Sequence, residues 1–457
     1  FQLKNYKMKN KILIIFISCV FAMYSCDKKL DTQPTSSIDV NDVFKTSDDV
    51  ISALKGSYAD LGAGGFYGGR LFVGEDLLGD SGNIDWSGTY QEFTQIHNKL
   101  IPVTNAFVSD TWLEGYQAIN DVNNVLAHLD LVVDAEKDRV EGEAKFIRGS
   151  AYFDLVRLYA KAWNDGDPNS NEGVPLVLTP TNLISDSNKV PRNSVAQVYA
   201  QVISDLTDAA QKCIEADNSY IFATNIAAYA MLARVYLQQQ DYENALQAEN
   251  SALNLALDNG YRLMPKYAAV FPPADPPTYI ANTAEDIFTM QVNATSGINE
   301  FNTFYSENQR GDIYINDQFF DLYEPKDDRA KLWDGGYTLK YENYYGSVRI
   351  IRLAELYLTR AECNFRLGSA VGAEPVDDIN KIRKRAGLSN YTADELTLDK
   401  ILRERALELS FEGFTLNDEK RLELNVGILP WNSPKLIYPI PQREIYANPN
   451  LTQNEGY

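Results

Sequence analysis

The sequence of 457 residues predicts an all-α fold in which antiparallel helix pairs stack into a superhelical scaffold, with irregular loops and short strands between them. Several long stretches repeat apolar residues at the three- and four-residue spacing of a helix face. Two of these stretches share one two-helix pattern. Between them, residues 265–345 hold six prolines, many aromatics and little helical periodicity, which predicts irregular loops with short strands.

The first part of the chain alternates predicted helices with loops. A helix is predicted from about residue 43, and the glycine run 62–69 is interpreted as a flexible turn that ends it. We reject a phosphate-binding loop there, since no strand precedes the run and no Lys-Ser/Thr follows it. Residues 75–94 predict a loop. The helical patterns that follow lie at 110–131, where Trp112 is expected in the core, and at 139–162, 195–215 and 225–257.

The second part of the chain contains the repeated pattern. In residues 228–255, the small Ala233 and Ala245 allow two helices to approach closely while Tyr236 and Tyr242 fill the groove between them. This pattern resembles a tetratricopeptide repeat. A second unit is predicted at 352–382, a weaker one from helices 144–162 and 195–214, and a last clear helix at 401–411. Because one repeat cannot bury its own apolar face, at least three are expected to stack.

The first 25 residues are interpreted as an upstream extension, ending before Met8, and an export signal. Lys9 and Lys11 precede an apolar run at 12–23. This run is shorter than the roughly 20 residues that a helix needs to span a bilayer, so it predicts a cleaved signal rather than a membrane anchor.

The residues after the apolar run, Ser25 and Cys26, resemble a bacterial lipobox, in which the cysteine is diacylated after cleavage. We therefore expect Cys26 to anchor the protein in membrane lipid and residues 26–42 to form a polar tether. Residues 43–457 are expected to form a single fold, with an N-terminal part at 43–264 and a C-terminal part at 265–457.

The net charge and the cysteines argue against nucleic-acid binding and against a metal site. The formal net charge of −21 opposes nucleic-acid binding, because phosphate backbones are bound through cationic contacts. Cleavage and lipidation leave Cys213 and Cys363. They could form one disulfide in an oxidising compartment, but their apolar helical surroundings favour buried free thiols. No metal and no cofactor is expected.

Short motifs follow one another along the whole chain. An opening motif lies at Leu30–Pro34 and a closing one at Asn448–Asn454. Those between them are 143–159, 173–176, 191–195, 352–362, 379–387, 404–413 and 438–441. Taken together and in this order, these segments resemble the RagB/SusD family of nutrient-uptake lipoproteins. After Gly413 the family usually has His or Arg and then aromatic-Asp-Leu, whereas residues 414–418 here read Phe-Thr-Leu-Asn-Asp.

The resemblance implies a tetratricopeptide-like protein on the outer face of the outer membrane that performs no chemistry. It implies a lid over a SusC-like TonB-dependent transporter, with the ligand site on loops away from the repeats. We therefore expect a cell-surface glycan-binding lipoprotein that captures oligosaccharides and delivers them to that transporter. The alternative is a peptide-binding component of the same type of uptake complex.

A loop at 79–90 offers both kinds of group that a sugar needs. Sugar rings stack their C–H faces on aromatic rings, and their hydroxyls bond to Asn, Asp and Arg. Trp86 stands between Asp and Ser-Gly, a setting more often exposed than a helical stripe. The candidate ligand-binding residues are Trp86, Asn83, Asp80 and Tyr90 in this loop, with Tyr305, Trp333 and Tyr337 from the irregular segment as second choices.

The sequence offers little for catalysis. The two histidines are His97 and His128, the second of which is expected to be structural in a helix, and the Gly-x-Ser-x-Gly and His-Glu-x-x-His patterns are absent. A glycosidase requires only two neighbouring carboxylates, so a surface glycoside hydrolase stays as a weaker alternative. We expect no enzyme.

The lipobox-like motif generates a first test. Replacement Cys26→Ala removes the thiol that would be acylated, so the variant should lose palmitate labelling and should no longer fractionate with outer membranes. Metabolic labelling of the variant beside the parent protein measures this. Undiminished labelling of the alanine variant would rule out the lipid anchor at this position.

Overall fold

The computed structural model describes residues 43–182, 185–214, 221–274, 276, 278–280 and 282–457. Cys26 and the predicted signal and tether lie outside the described residues. The helices are α1 (Ser47–Leu61), α2 (Arg70–Leu78), α3 (Gln91–His97), α4 (Ala106–Ala127), α5 (Asp134–Tyr159), α6 (Val195–Lys212), α7 (Asn225–Gln238), α8 (Tyr242–Asp258), α9 (Glu300–Tyr305), α10 (Asp317–Phe320), α11 (Leu353–Leu367), α12 (Pro375–Arg385), α13 (Leu398–Glu408), α14 (Thr415–Arg421) and α15 (Gln442–Ala447). The strands are β1 (Ile84–Trp86), β2 (Asp286–Met290), β3 (Ile313–Ile315), β4 (Trp333–Asp334), β5 (Tyr337–Thr338) and β6 (Val348–Arg352).

The long helices form one continuous stack. Helix α4 packs on α5, α5 on α6, α6 on α7, α7 on α8, α8 on α11 and α11 on α12. The all-α, tetratricopeptide-like fold is thereby confirmed, including the pairs α5–α6, α7–α8 and α11–α12. Side-chain caps begin several of these helices, as Thr224 does for α7 and Asp241 for α8. Gly368, with φ of +62°, ends α11 in the left-handed conformation.

Two predictions about the N-terminal part are wrong. The glycine run 62–69 is a largely buried turn rather than a flexible one: Phe66 and Tyr67 are fully buried, and a Cβ on Gly68 would lie 2.7 Å from the carbonyl oxygen of Ala63. Residues 75–94, predicted as loop, contain the end of α2, strand β1 and the start of α3. Helix α2 is buried on nearly all sides, so its sequence has no polar face and no helical period to detect.

The irregular segment matches its prediction. Residues 265–345 contain short helices and short strands that join into two-stranded antiparallel sheets, β1 with β3 and β4 with β5, while β2 pairs with β6. The helix predicted at 401–411 is α13, but it is not the last, because the short α14 and α15 follow it.

Several predicted core positions are confirmed. Trp112 is buried in α4, with its ring 5.0 Å from that of Tyr159. His128 sits at the C-cap of α4, where Nδ1 lies 2.7 Å from the carbonyl oxygen of Asn124. Cys213 and Cys363 are buried free thiols whose pKa is raised by burial. In the part of the chain that the structure describes, no helix has the length and apolar character needed to cross a bilayer.

A buried charge network joins the irregular segment to the helical stack. Arg352, the last residue of β6, donates from Nε to Glu412 at 2.7 Å and from Nη1 to Glu408 at 2.6 Å and Glu285 at 3.1 Å. We call the following residues the buried charge network: Glu285, Arg329, Lys340, Arg352, Arg385, Glu404, Glu408 and Glu412. Every one of these side chains is almost completely buried.

Two carboxylates of this network, Glu408 and Glu412, stay ionised although they are buried. Burial alone would raise the pKa of Glu412, but Arg352 and Lys340 hold it at about 2. Burial likewise opposes ionisation of Glu408, while Arg385, Arg352 and Arg329 keep the pKa below its ordinary value. Each carboxylate therefore depends on its cations, since an unpaired buried charge is far costlier than a paired one.

This dependence predicts a large effect of removing Arg352. Arg352→Met leaves three buried carboxylates without their shared partner and should lower the free energy of unfolding by about 3–5 kcal/mol. Chemical denaturation measures the loss. The matched control is Arg366→Met, because Arg366 is 20% exposed in its side chain and its partner Glu362 keeps Arg421; its loss should stay below about 1 kcal/mol. Equal losses in the two variants would contradict the role given to the network.

Candidate functional site

Strands β1 and β3 bring the predicted loop against the irregular segment. Their register pairs Ile84 with Ile315, Asp85 with Tyr314 and Trp86 with Ile313. The three isoleucines are buried, whereas Asp85 and Tyr314 are exposed. Directly paired residues share one face of an antiparallel sheet, so Asp85 and Tyr314 present a carboxylate and a ring side by side to solvent.

Trp86 is half-buried in a group of aromatic rings. Its ring centroid lies 5.3 Å from that of Phe93 and 6.0 Å from that of Phe304, and Nε1 donates to the Thr94 hydroxyl at 2.9 Å. Gly88 packs directly on the indole, where a Cβ would collide with it. The indole therefore supports the local structure and exposes only part of its surface.

Tyr90 lies at the edge of the same group and is 40% exposed. Its ring contacts Phe107 and Phe304, with centroids 5.4 Å and 5.9 Å away. The Arg310 guanidinium carbon lies 4.6 Å from the centroid of the Tyr90 ring. Arg310 also donates to Asp312 at 2.6 Å and to the Thr89 hydroxyl at 3.1 Å, so an exposed cation is held in place over the ring.

Tyr337 meets Tyr314 on the outer surface. The two rings are perpendicular, with centroids 5.8 Å apart, and the Tyr314 ring lies against Gly336, where a side chain would collide with it. The cross-strand partner of Tyr337 is the exposed Asp334. Each of the two tyrosines thus has a neighbouring carboxylate. We call Tyr90, Tyr314 and Tyr337 the aromatic platform; Trp86 pairs with the buried Ile313 and so lies on the opposite face of the β1–β3 sheet.

Asp80 and Asn83 occupy a different place, at a cleft beside the platform. The cleft has a volume of about 230 Å³ and mostly apolar walls, which include Leu322, Leu402 and Phe414. Asp80 is buried, and its Oδ1 accepts from the backbone N–H groups of Asn83 at 2.7 Å and Ile84 at 3.0 Å. Its second oxygen lies 3.3 Å from Nε2 of His97. Asp80 therefore shapes the loop, and Asn83 is the freer of the two.

Two second-choice candidates pack inward. Tyr305 is completely buried and donates its hydroxyl proton to Asp76 at 2.9 Å, so its prediction as a ligand residue is wrong. Trp333 is paired with the buried Thr338, on the face of its hairpin opposite to Tyr337. Its ring packs against Phe319, Phe320 and Phe411, which places it under the surface rather than on the platform.

Asp76 illustrates how far this region is removed from water. Burial raises the pKa of Asp76 to about 8, although hydrogen bonds from Tyr305 and the Gly413 N–H act against the shift. At the cleft, burial also raises the pKa of Glu419 to about 8, although a hydrogen bond from Ser81 acts against this shift.

Within the described ranges, no group of three or more His, Cys, Asp or Glu side chains is arranged to hold a metal ion.

Sequence reasoning missed Tyr314 and Arg310. Tyr314 stands between two isoleucines, and this alternation predicts a strand with one apolar face and one exposed tyrosine. The sequence pattern could therefore have identified Tyr314 as an exposed residue. No sequence pattern identifies Arg310, because its place over Tyr90 depends on pairing between strands that are distant in sequence.

Comparison with known protein families and structures gives a consistent result. A family profile described as "Starch-binding associating with outer membrane" (SusD-like) matches residues 30–237, and one described as "SusD family" (SusD/RagB) matches residues 329–425. SusD-like protein P2 of Formosa agariphila is 24% identical over 98% of this chain and 100% of its own length. Starch-binding protein SusD of Bacteroides thetaiotaomicron is 31% identical over a shorter stretch, 27% of this chain and 26% of its own.

A solved structure extends the similarity to three dimensions. A putative sugar binding protein from Bacteroides vulgatus has a TM-score of 0.79 and 27% identity, and the match covers 91% of this chain and 99% of that one. The helical stack, the two profiles and the full-length relatives agree. The chain belongs to the SusD/RagB family.

Proposed function

We propose that the protein is a cell-surface glycan-binding lipoprotein that captures oligosaccharides on the aromatic platform. One observation carries the proposal: the perpendicular Tyr314 and Tyr337 each have a carboxylate, Asp85 or Asp334, as cross-strand neighbour. Rings can stack on the apolar faces of sugars while the carboxylates accept from sugar hydroxyls. Arg310, fixed over Tyr90, adds a donor at the same surface. This is an arrangement for binding, and we propose no catalytic step.

The apolar cleft supports a second candidate, a peptide-binding component of the same kind of complex. Its walls are largely leucine, alanine and phenylalanine side chains, which suit an apolar peptide side chain better than a hydroxylated sugar ring. The platform remains the first choice, because its polar groups lie beside exposed rings.

We further propose that Cys26 anchors the protein in the outer membrane and that a SusC-like TonB-dependent transporter receives the ligand. The export signal, the lipobox-like Ser25-Cys26 and the profile described as associating with the outer membrane support this part.

The platform is tested best at Tyr314. Because Tyr314 packs mainly on the neighbouring tyrosine and glycine, Tyr314→Ala should leave the melting temperature nearly unchanged. An aromatic contact is worth about 0.5–1.5 kcal/mol beyond its buried area, so the variant should bind its oligosaccharide about three- to tenfold more weakly. Calorimetric titration over a panel of neutral oligosaccharides measures the change. Trp86→Ala is less informative, since it also removes packing on Phe93 and Phe304.

The matched control for this test is Tyr446→Ala, which removes a tyrosine that is 80% exposed in α15. Its binding should equal that of the parent protein. If Tyr314→Ala binds as tightly as the parent, the platform is not the site. If the parent binds peptides and none of the oligosaccharides, the peptide candidate replaces the glycan one.

The transporter partnership has a separate test. Purification of the tagged protein from its native host in mild detergent should also recover a large β-barrel protein in stoichiometric amount, identified by mass spectrometry. A tagged Cys26→Ala protein is the control, because loss of the anchor should reduce the yield of the barrel. Recovery of a lone monomer under several detergents would contradict the partnership.

A further inference from the structure

A second and much smaller pocket lies at the start of β6, apart from the platform and the cleft. Its volume is about 20 Å³, and its polar lining residues are Asn282, Asn299, Lys340, Asn343, Ser347 and Arg349. A space of this size holds about one oxygen-sized atom. A sugar ring cannot enter it, but one oxygen of a substituent on the ring can.

Two of these side chains already donate within the protein, Asn299 to the Gly346 carbonyl and Lys340 to Ser410 and Glu412. The two other asparagines have their acceptors occupied and their donors free. Oδ1 of Asn282 accepts from the Thr289 hydroxyl at 3.4 Å, and Oδ1 of Asn343 accepts from the Tyr345 N–H at 3.1 Å. The side-chain NH₂ groups of both asparagines have no hydrogen-bond partner among the described residues. The Ser347 hydroxyl is buried and, within the same residues, also unpartnered. A buried polar group without a partner is costly, so this pocket is suited to an acceptor from outside.

Arg349 supplies a positive charge at this pocket. Its Nε donates to the buried Asp286 at 2.7 Å, and its guanidinium lies over Phe271, with 5.1 Å between carbon and ring centroid. These two contacts fix the orientation of the plane. The two terminal nitrogens have no partner in the described part of the chain, and Arg349 lines the pocket. A fixed guanidinium with free terminal nitrogens matches the geometry of a carboxylate or sulfate.

We propose that this pocket binds the anionic group of an acidic sugar, a carboxylate or a sulfate, as a subsite for charged glycans. The inference rests on the proposed glycan-binding function and extends it to ligands that carry negative charge. The protein has a formal net charge of −21, so its overall electrostatic field repels an anionic ligand. Recognition must therefore come from a local set of donors, which this pocket provides.

The test compares two monosaccharides that differ only in this group, glucuronate and glucose. Ligand-observed NMR titration of the mature protein should detect glucuronate binding at least about tenfold tighter than glucose binding. Arg349→Gln should remove most of that preference, because hydrogen bonds to charged groups are among the stronger ones. Ser347→Ala should weaken glucuronate about threefold. Asn343→Asp keeps the acceptor for Tyr345 but adds a negative charge, and it should abolish the preference.

Two controls separate this subsite from stability and from the platform. Arg366→Gln removes a guanidinium of similar burial whose Nε also bonds a buried carboxylate, and it should bind glucuronate as the parent does. Tyr314→Ala should bind neutral oligosaccharides about three- to tenfold more weakly and keep the glucuronate preference, so the two proposals fail independently. The subsite is refuted if the parent protein prefers glucuronate no more than glucose, or if Ser347→Ala and Asn343→Asp both retain the full preference.

Discussion

The pairing of buried charges around Arg352 is the interaction on which the rest of the structure depends. Arg352 ends β6 immediately before α11 begins, so it stands where the irregular segment enters the helical stack. Its carboxylate partners come from the residue before β2, from the end of α13 and from the turn after it. Arg385, from the end of α12, bonds Glu285 and Glu408 in turn. The segment is therefore fixed by directional bonds, in a region where apolar packing alone would leave several positions of the chain nearly equal in energy.

This arrangement separates two tasks within one chain. The stacked helices bury apolar stripes against each other at similar interhelical distances, so the side chains that pack between them tolerate little change in size. The exposed tyrosines and carboxylates stand on strands of two or three residues that are not part of the helical stack. Substitution of Tyr314 or Asp334 changes the surface offered to a ligand without altering the apolar stripes.

The sequence predicted the parts of the fold that have a period. Helices α4 to α8 and α11 to α13 carry apolar residues at helical spacing, and their pairing followed from small residues such as Ala233 and Ala245. Helix α2 was missed because it is buried almost all round, and the glycine run before it was misread because composition does not reveal burial. Among the proposed site residues, Tyr90 and Tyr337 were chosen from composition and lie in the aromatic platform with Tyr314, whereas Trp86 packs on Phe93 and Phe304 on the other face of β1. Tyr305 was misassigned, since a tyrosine that bonds a buried carboxyl has the same sequence signature as an exposed one.

The departure from the family pattern after Gly413 has a local explanation. The Phe414 ring lies 5.0 Å from the Arg234 guanidinium carbon and 5.4 Å from that of Arg405. Asn417 donates to Glu75 at 2.7 Å.

The β1–β3 pairing has a consequence for the order of folding. Ser87 donates its N–H to the carbonyl of Asp312, a partner 225 residues away in sequence. The helix pairs, by contrast, join neighbours in the chain and can form from local contacts. Because closing a long loop costs entropy before any distant contact is gained, this small sheet forms late, after the stack has brought its two strands together. Helical content during refolding would thus rise before the tyrosines meet, and the fluorescence of Trp86 against Phe93 and Phe304 would report the final step. A partly folded chain would have its scaffold in place and no surface on which to hold a ligand.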